Sequence, residues 1–398
     1  MSARVLRILQ ICPRIPYPLH DGRALSIFNI TKHLALRGHR VHMATFDIGE
    51  TPTFDELRQY CELTTLPHDL KNRWQGALLN LPSRVPYNMA KYRAPEMFRK
   101  LEEIVVRDQF DVVHVDHVHM AIYGTLLKEK FGVPIVIREH NFEATIMARF
   151  AENQKNLVLR AYAHLQYRRL LRYEADMCSR FDRCVMITAE DERRLLSVSP
   201  QARTTVIPAG VQLPVLPDRA AETPHNILFL ASLDWRPNVE GFLWFYQQIL
   251  PMVLQQEPKA KVTVVGKGAA PELEQLSHPN VNFVGFAHDL SEYFARAQVC
   301  IVPLLTGGGM RLKILEMFAH GKCVVATPVG CEGIAVQDGR ELLVAERAET
   351  FAQQVLRALQ TPGLRASLGA NARTLVETRY DWRQIAADFE QVYWEVSK

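Results

Sequence analysis

Three consecutive glycines, Gly307, Gly308 and Gly309, follow an apolar run from Val299 to Leu305. The stretch after them opens with Arg311 and Lys313 and carries Glu316. The local pattern is strand, glycine loop, helix. Glycine lets a backbone approach a ligand closely, and a helix start offers unpaired N–H groups with partial positive charge. Two cations beside that start suit a diphosphate. Glu316, one turn further in, is placed to accept from two neighbouring hydroxyls. A nucleotide diphosphate would satisfy all of these groups through its phosphates and ribose. The plainer alternative is a tight turn with a solvated basic helix start. The order of the parts, more than the glycines, favours the ligand.

Other strand ends supply candidates for the same chemistry. Ala231–Glu240 carries Arg236, which with the N–H groups near Asn238 is expected to face the same phosphates as Arg311 and Lys313. Val265–Gly268 offers Lys267. Gly285 and Phe286 place an amide beside an aromatic ring, a pair able to read a nucleobase edge. In the first half, Asp111–His119 holds Asp116 and His117, either of which is a candidate polar contact. Three histidines and two aspartates there invite a metal, but alternate strand residues point to opposite faces, so no metal is expected. Arg138–Glu143 is a charged cluster at the end of a buried strand. His140 is its foremost candidate for touching substrate, a satisfied core histidine being the alternative. The loop Pro13–Arg23 has one glycine, Gly22, at the start of a helix. It is not GxGxxG, so no dinucleotide site is expected; its backbone could still meet a phosphate or sugar.

These residues need a scaffold, and strands alternate with helices throughout. In the first half the expected strands are Val5–Cys12, Val41–Phe46, Asp111–Val115, Pro134–Arg138, Arg183–Thr188 and Val206–Pro208. The expected helices are Arg23–Arg37, Met120–Phe131 and the polar stretch Asn156–Met177. In the second half the strands are Asn226–Ala231, Lys261–Val265, Val281–Val284, Val299–Pro303 and Val324–Thr327. Its helices are Val239–Gln256, Pro271–Leu276, Leu290–Ala297, Ile314–His320, Glu349–Leu359, Arg365–Thr378 and Trp382–Val396. The proline-rich stretch after Pro208 reads as a linker. The division is thus residues 1–207, a linker at 208–224, residues 225–380, and a C-terminal helix at 381–398 packing back on the first domain. The expected class is α/β: two Rossmann-like domains with parallel sheets facing across a cleft, where ligands meet the carboxyl ends of strands.

A chain of 398 residues suits two domains. Net charge is only +4, so no nucleic-acid partner is indicated. Seven cysteines with no CxxC pair argue against a disulfide framework and for a reducing cytosol. No stretch reaches the roughly 20 apolar residues of a membrane span. A peripheral contact is still suggested by residues 71–100, where seven cations face one acid with Trp74, Tyr87, Tyr92 and Phe98 interleaved. Residues 160–172 add further arginines among leucines. A solvated helical face is the alternative for both.

The pattern resembles the GT-B glycosyltransferases of family 4, the retaining nucleotide-sugar transferases, and among them bacterial polysaccharide sugar transferases. The resemblance is carried by GHRV at Gly38–Val41, DVVH at Asp111–His114, REHNFE at Arg138–Glu143 and VIPAGV at Val206–Val211. In the second half it is carried by FLASLDWRPN at Phe229–Asn238, VVGKG at Val264–Gly268, NFVGF at Asn282–Phe286 and, most specifically, Val302–Thr327. It implies that Glu316 binds ribose. It implies that the amides of Gly308, Gly309, Met310, Arg311 and Leu312, with Arg311 and Lys313, hold the diphosphate. Phe286 and Lys267 would sit by the base, His140 and Asp116 by the sugar, and Gly22 on the phosphate or acceptor side. Many relatives have a second glutamate where Gly308 stands, and an Arg and a Lys where Ser232 and Pro237 stand. The implied reaction moves a sugar from a UDP- or GDP-sugar, a substrate and not a cofactor, to a glycan or lipid-linked hydroxyl at the inner face of the membrane. No Asp-x-Asp occurs, so cations and the helix dipole are expected to meet the leaving charge. A sugar-nucleotide epimerase and a non-catalytic partner in an envelope-assembly complex are the rival readings.

Overall fold

The computed structural model describes residues 5–19, 22–49, 54–216, 222–268, 271–307 and 309–397. Gly308 and part of the expected linker lie outside them. The chain divides into two compact units, Met1–Pro208 with Ile385–Lys398, and Ala209–Gln384.

The first unit runs β1 (Arg7–Cys12), α1 (Gly22–Leu36), β2 (Arg40–Asp47), α2 (Asp55–Arg58), β3 (Glu62–Pro67), α3 (Trp74–Leu79), α4 (Tyr87–Ala90) and α5 (Pro95–Asp108). It continues with β4 (Val112–Asp116), α6 (Ala121–Phe131), β5 (Ile135–Glu139), α7 (Glu143–Glu152), α8 (Leu157–Arg180), β6 (Arg183–Met186), α9 (Ala189–Val198) and β7 (Thr204–Val206). All seven strands are parallel, in the order β3-β2-β1-β4-β5-β6-β7. β4 and β5 are buried at every position. Continuous burial without alternation is what helices on both faces of a parallel sheet require. Leu9, Ile11, Val113, Val115, Ile135 and Ile137 share one core with Tyr123, Leu127 and Leu170.

The second unit runs β8 (Asn226–Leu230), α10 (Arg236–Trp244), α11 (Leu250–Gln256), β9 (Lys261–Val265), α12 (Pro271–Glu274), β10 (Val281–Gly285) and α13 (Ser291–Arg296). Then come β11 (Val299–Val302), α14 (Leu312–Ala319), β12 (Cys323–Ala326), β13 (Leu343–Val344), α15 (Ala348–Gln360) and α16 (Pro362–Arg379). Its six parallel strands are ordered β10-β9-β8-β11-β12-β13. The single helix expected over Val239–Gln256 is split by a wide π turn at Phe245–Ile249. Pro251 explains it, since proline has no N–H to donate and its ring crowds the carbonyl four residues back.

The last helix, α17 (Trp382–Val396), changes unit within its first turn. Its later residues Phe389 and Tyr393 are fully buried. The Tyr393 hydroxyl meets His114 Nδ1, and the Arg138 guanidinium lies 5.5 Å from the centre of the Phe389 ring.

Residues 71–100 do not form the uniform basic-aromatic surface expected from sequence. Tyr92 is buried just before α5, and Phe98 packs at 4.5 Å on Tyr123 as α5 turns its apolar stripe into the core. Of the four aromatic side chains only Trp74 is mostly exposed.

Candidate active site

Each sheet reverses its strand order once, between β1 and β4 and between β8 and β11. Loops leaving the carboxyl ends of those neighbouring strands diverge to opposite faces and open a crevice. Gly22 and Asp116 lie at the first of these points and Arg236, Arg311 and Lys313 at the second, while His140, Lys267 and Phe286 follow other strands of the same sheets.

In the second unit the crevice is bounded by the loops β8–α10 and β11–α14. Gly241 lets α10 press onto the second of these, since a Cβ there would stand 2.5 Å from the Pro303 carbonyl oxygen. Gly266, at φ +157°, does the same for the β9 end, where a Cβ would overlap the Ala231 carbonyl. Leu233 N donates to Lys267 O at 2.7 Å, locking the two loops together. Gly309 adopts φ +77°, which only glycine takes readily.

Arg311 occupies the N-cap of α14 and brings no capping side-chain bond. Ile314 N donates to Arg311 O at 2.9 Å, and the amides of Leu312 and Lys313 are left for an outside acceptor. The buried Arg311 guanidinium lies over the Trp235 ring at 5.4 Å and donates to Gly309 O at 3.0 Å. Lys313 Nζ donates to Asn238 Oδ1 at 2.9 Å, and Asn238 Nδ2 donates to Ser232 O at 2.7 Å. Asn238 thus ties Lys313 to the β8 loop. Burial, then the charge of Arg311, pulls the Lys313 ammonium down to about 7. Burial alone pushes the Glu316 carboxyl up to about 7. A lysine and a glutamate left this uncomfortable await a partner that restores their charges.

Arg236, expected at the phosphates, is instead clamped by Glu240 and Glu272 and is mostly exposed. Its charge is already neutralised on the surface. Lys267 is exposed. Phe286 is 49% exposed and edge-on to His288 at 4.7 Å.

In the first unit Asp116 is the hub. Its carboxylate accepts from Gln10 Nε2 at 2.7 Å and from Cys12 Sγ at 3.4 Å, across the β1–β4 reversal. Its other oxygen lies 3.4 Å from both His114 Nε2 and His140 Nε2. Burial would raise this carboxyl, but the two imidazoles outweigh burial and hold it well below the usual range. Asp116 is fully buried with both oxygens engaged, so the expected direct contact with sugar is corrected: it is a positioning residue. His140, lowered to about 4 by burial and then by Arg138, is neutral at physiological pH. An ionised Asp116 selects the tautomer with hydrogen on Nε2, leaving Nδ1 as an acceptor. Gly22 begins α1 beside this end of the sheet.

The strand alternation that weighs against a metal at Asp111–His119 does not hold at His117. Its backbone has φ +73°, so the chain leaves the strand there and alternation ends. Its ring stacks on His140 at 4.2 Å and 5°. Ligand-capable atoms of His117, His119 and Glu143 lie within 4.8 Å of one another. Burial, with Arg23 among the neighbouring charges, holds both His117 and His119 neutral. Neutral imidazoles can bind a cation or sugar hydroxyls; the adjacent Arg23 charge favours the hydroxyls.

One positioning group escaped the sequence reading. Glu174, fully buried on α8, accepts from Glu143 N at 2.9 Å and Ala144 N at 3.0 Å. It caps α7 from another helix and so fixes the turn that carries His140. Glu174→Gln removes one acceptor and sets an NH2 against an N–H. Unfolding free energy should fall by about 1–2 kcal/mol, read as a lower urea midpoint with unchanged slope.

Comparison with known proteins agrees with this anatomy. Residues 21–213 match the family described as Glycosyltransferase Family 4, and residues 224–361 match Glycosyl transferases group 1. A phosphatidyl-myo-inositol mannosyltransferase of Mycolicibacterium smegmatis is 25% identical over 330 residues, 79% of either chain. Sucrose-phosphate synthase from Thermosynechococcus elongatus superposes with a TM-score of 0.70 at 20% identity, covering 98% of each chain. Anabaena HepE in complex with UDP superposes with a TM-score of 0.68 at 15% identity, covering 97% of this chain and 99% of that one.

Proposed function

Because this chain belongs to glycosyltransferase family 4 and has the GT-B fold, we infer that it transfers a sugar from a nucleotide diphosphate with retention of anomeric configuration. The observation that carries the donor assignment is the start of α14: the Leu312 and Lys313 amides, the Arg311 and Lys313 side chains beside them, and Glu316 one turn on. Binding of UDP by the similar Anabaena protein supports a nucleotide of this type. The diphosphate lies on the amides and the two cations, and the ribose hydroxyls donate to Glu316. The base rests by Phe286. As the C1–O bond to the β-phosphate breaks, its electron pair goes to the phosphate oxygen, where Arg311, Lys313 and the helix dipole stabilise it. The acceptor oxygen bonds to C1 from the same face, and its proton passes to the departing phosphate. His140 Nδ1, held by Asp116, and the neutral His117 and His119 orient sugar and acceptor hydroxyls. The acceptor is a glycan or lipid-linked hydroxyl; the phosphatidyl-inositol in the name of the Mycolicibacterium relative supports a lipid-borne one.

Calorimetry with UDP-, GDP- and ADP-sugars tests the donor assignment. A bound diphosphate re-protonates Lys313, so above pH about 7 binding takes up a proton and weakens as pH rises. Below about 7 Glu316 is protonated and accepts from ribose poorly, so affinity falls again. The limiting slopes are about tenfold per pH unit on each side. Failure of all three nucleotides to bind, or a flat profile, would overturn the assignment. Product stereochemistry by NMR tests retention.

A further inference from the structure

We propose that an anionic lipid bilayer docks on a surface of the first unit formed by α3, the turn after it, and the first turn of α8. This goes beyond the glycosyl transfer inferred above and stands without it.

No residue of α3 is buried. Trp74 is 71% exposed, Leu78 54%, Leu79 81% and Leu81 41%. On α8, Leu157 is 77% and Val158 79% exposed, and Leu159 is nearly half exposed. This second group is not a frayed end, because Asn156 caps it by accepting from both Val158 N and Leu159 N. An ordered helix thus holds large apolar side chains in water.

The two groups belong to one face. Arg169 of α8 donates to Asn80 O at 3.1 Å and to Leu81 O, gripping the end of α3. Gln166 Oε1 accepts from Tyr87 N at 2.9 Å, and the Tyr87 hydroxyl bonds Arg73 N and Arg73 O at the start of α3. Val158 and Leu159 lie two turns before Gln166, on the same stripe of α8. Their side chains therefore continue, past the contact, the side of α8 that meets α3 and α4.

Charge selects the occupant. No acid occurs between Asp69 and Glu96, or between Glu152 and Glu174. Lys71, Arg84, Lys155, Arg160, Arg168 and Arg172 are exposed in those stretches. A second copy seated on this face about a two-fold axis would bring those cations against themselves. Anionic headgroups would neutralise them while the apolar tips enter the headgroup–acyl boundary, with Trp74 at the interface. Among the described residues no helix is long and apolar enough to cross a membrane, so the contact is peripheral.

The full-length chain is sedimented with vesicles of phosphatidylcholine alone and of phosphatidylcholine mixed with phosphatidylglycerol. Binding is expected only to the mixed vesicles, and salt should weaken it. Leu79→Glu with Val158→Glu should lower partitioning about tenfold or more with unchanged thermal melting, since both sites are exposed. Arg160→Gln and Arg168→Gln should each lower it about fivefold. Trp74 emission, isolated by difference from Trp74→Phe, should shift to the blue on binding. Absence of binding to mixed vesicles, or undiminished binding of the Leu79/Val158 variant, overturns the proposal. So does a dimer in sedimentation velocity that this variant dissociates, which would assign the face to a second copy.

Discussion

Lys313→Met should weaken nucleotide diphosphate binding by about 10- to 150-fold, the worth of a charge-assisted hydrogen bond of about 1.5–3 kcal/mol. Methionine keeps an apolar stem of similar length but removes the ammonium, which lies 5.7 Å from the centre of the Phe229 ring. The unliganded protein should not lose stability. The folded-state lysine titrates near 7, below its ordinary 10.5, so between those values the unfolded chain binds a proton that the native chain does not. That difference disfavours the native state as pH falls through the interval, and methionine abolishes it. Weaker binding with an unlowered melting midpoint is the signature of a ligand-binding cation. A lower midpoint with unchanged affinity would mean that Lys313 merely supports Asn238, and would remove the diphosphate from α14.

Asp116→Asn should lower kcat by about 10²–10⁴ while leaving nucleotide affinity unchanged. The amide fits the same space between Gln10 and Cys12. It cannot select the His140 tautomer as a carboxylate does, and one of its atoms must now donate toward other donors. His140→Asn should reproduce the loss. If Asp116→Asn lowers turnover but His140→Asn does not, the carboxylate acts through His114 and Tyr393 and the assignment of His140 fails. Calorimetric nucleotide affinity and initial rates on the same preparations separate these outcomes.

Much of this was legible in the sequence because the signals are local. Short β-branched runs such as VVHVD and IVIRE, apolar until their polar carboxyl ends, read as buried strands, and the glycine loop before Arg311 is contiguous with the helix it starts. What was hidden depends on residues distant in the chain. Arg236 meets Glu240 one turn away, but its second partner, Glu272, is brought by another element. Glu174 caps a helix 30 residues before it. His117 and His119 converge only because one residue adopts a left-handed backbone, which no alternation rule anticipates. Tyr92 and Phe98 read as surface because basic neighbours surround them, yet Tyr92 is buried before α5 and the amphipathic turn of α5 packs Phe98 against the core. The π turn before Pro251 was visible as a proline, yet helix propensity on both sides masked it.

The change of unit within α17 has a consequence for dissecting the molecule. Phe389 and Tyr393, which cover Arg138 and His114, are contributed by the far end of the polypeptide. A fragment ending near Pro208 would hold every strand of its sheet yet lack its own lid, and would carry a buried guanidinium and imidazole bared to solvent. The second unit is a contiguous gene segment, but the first is not. Swapping donor-binding modules between relatives must therefore cut twice, once on each side of the second unit, and leave the terminal tail with its original host.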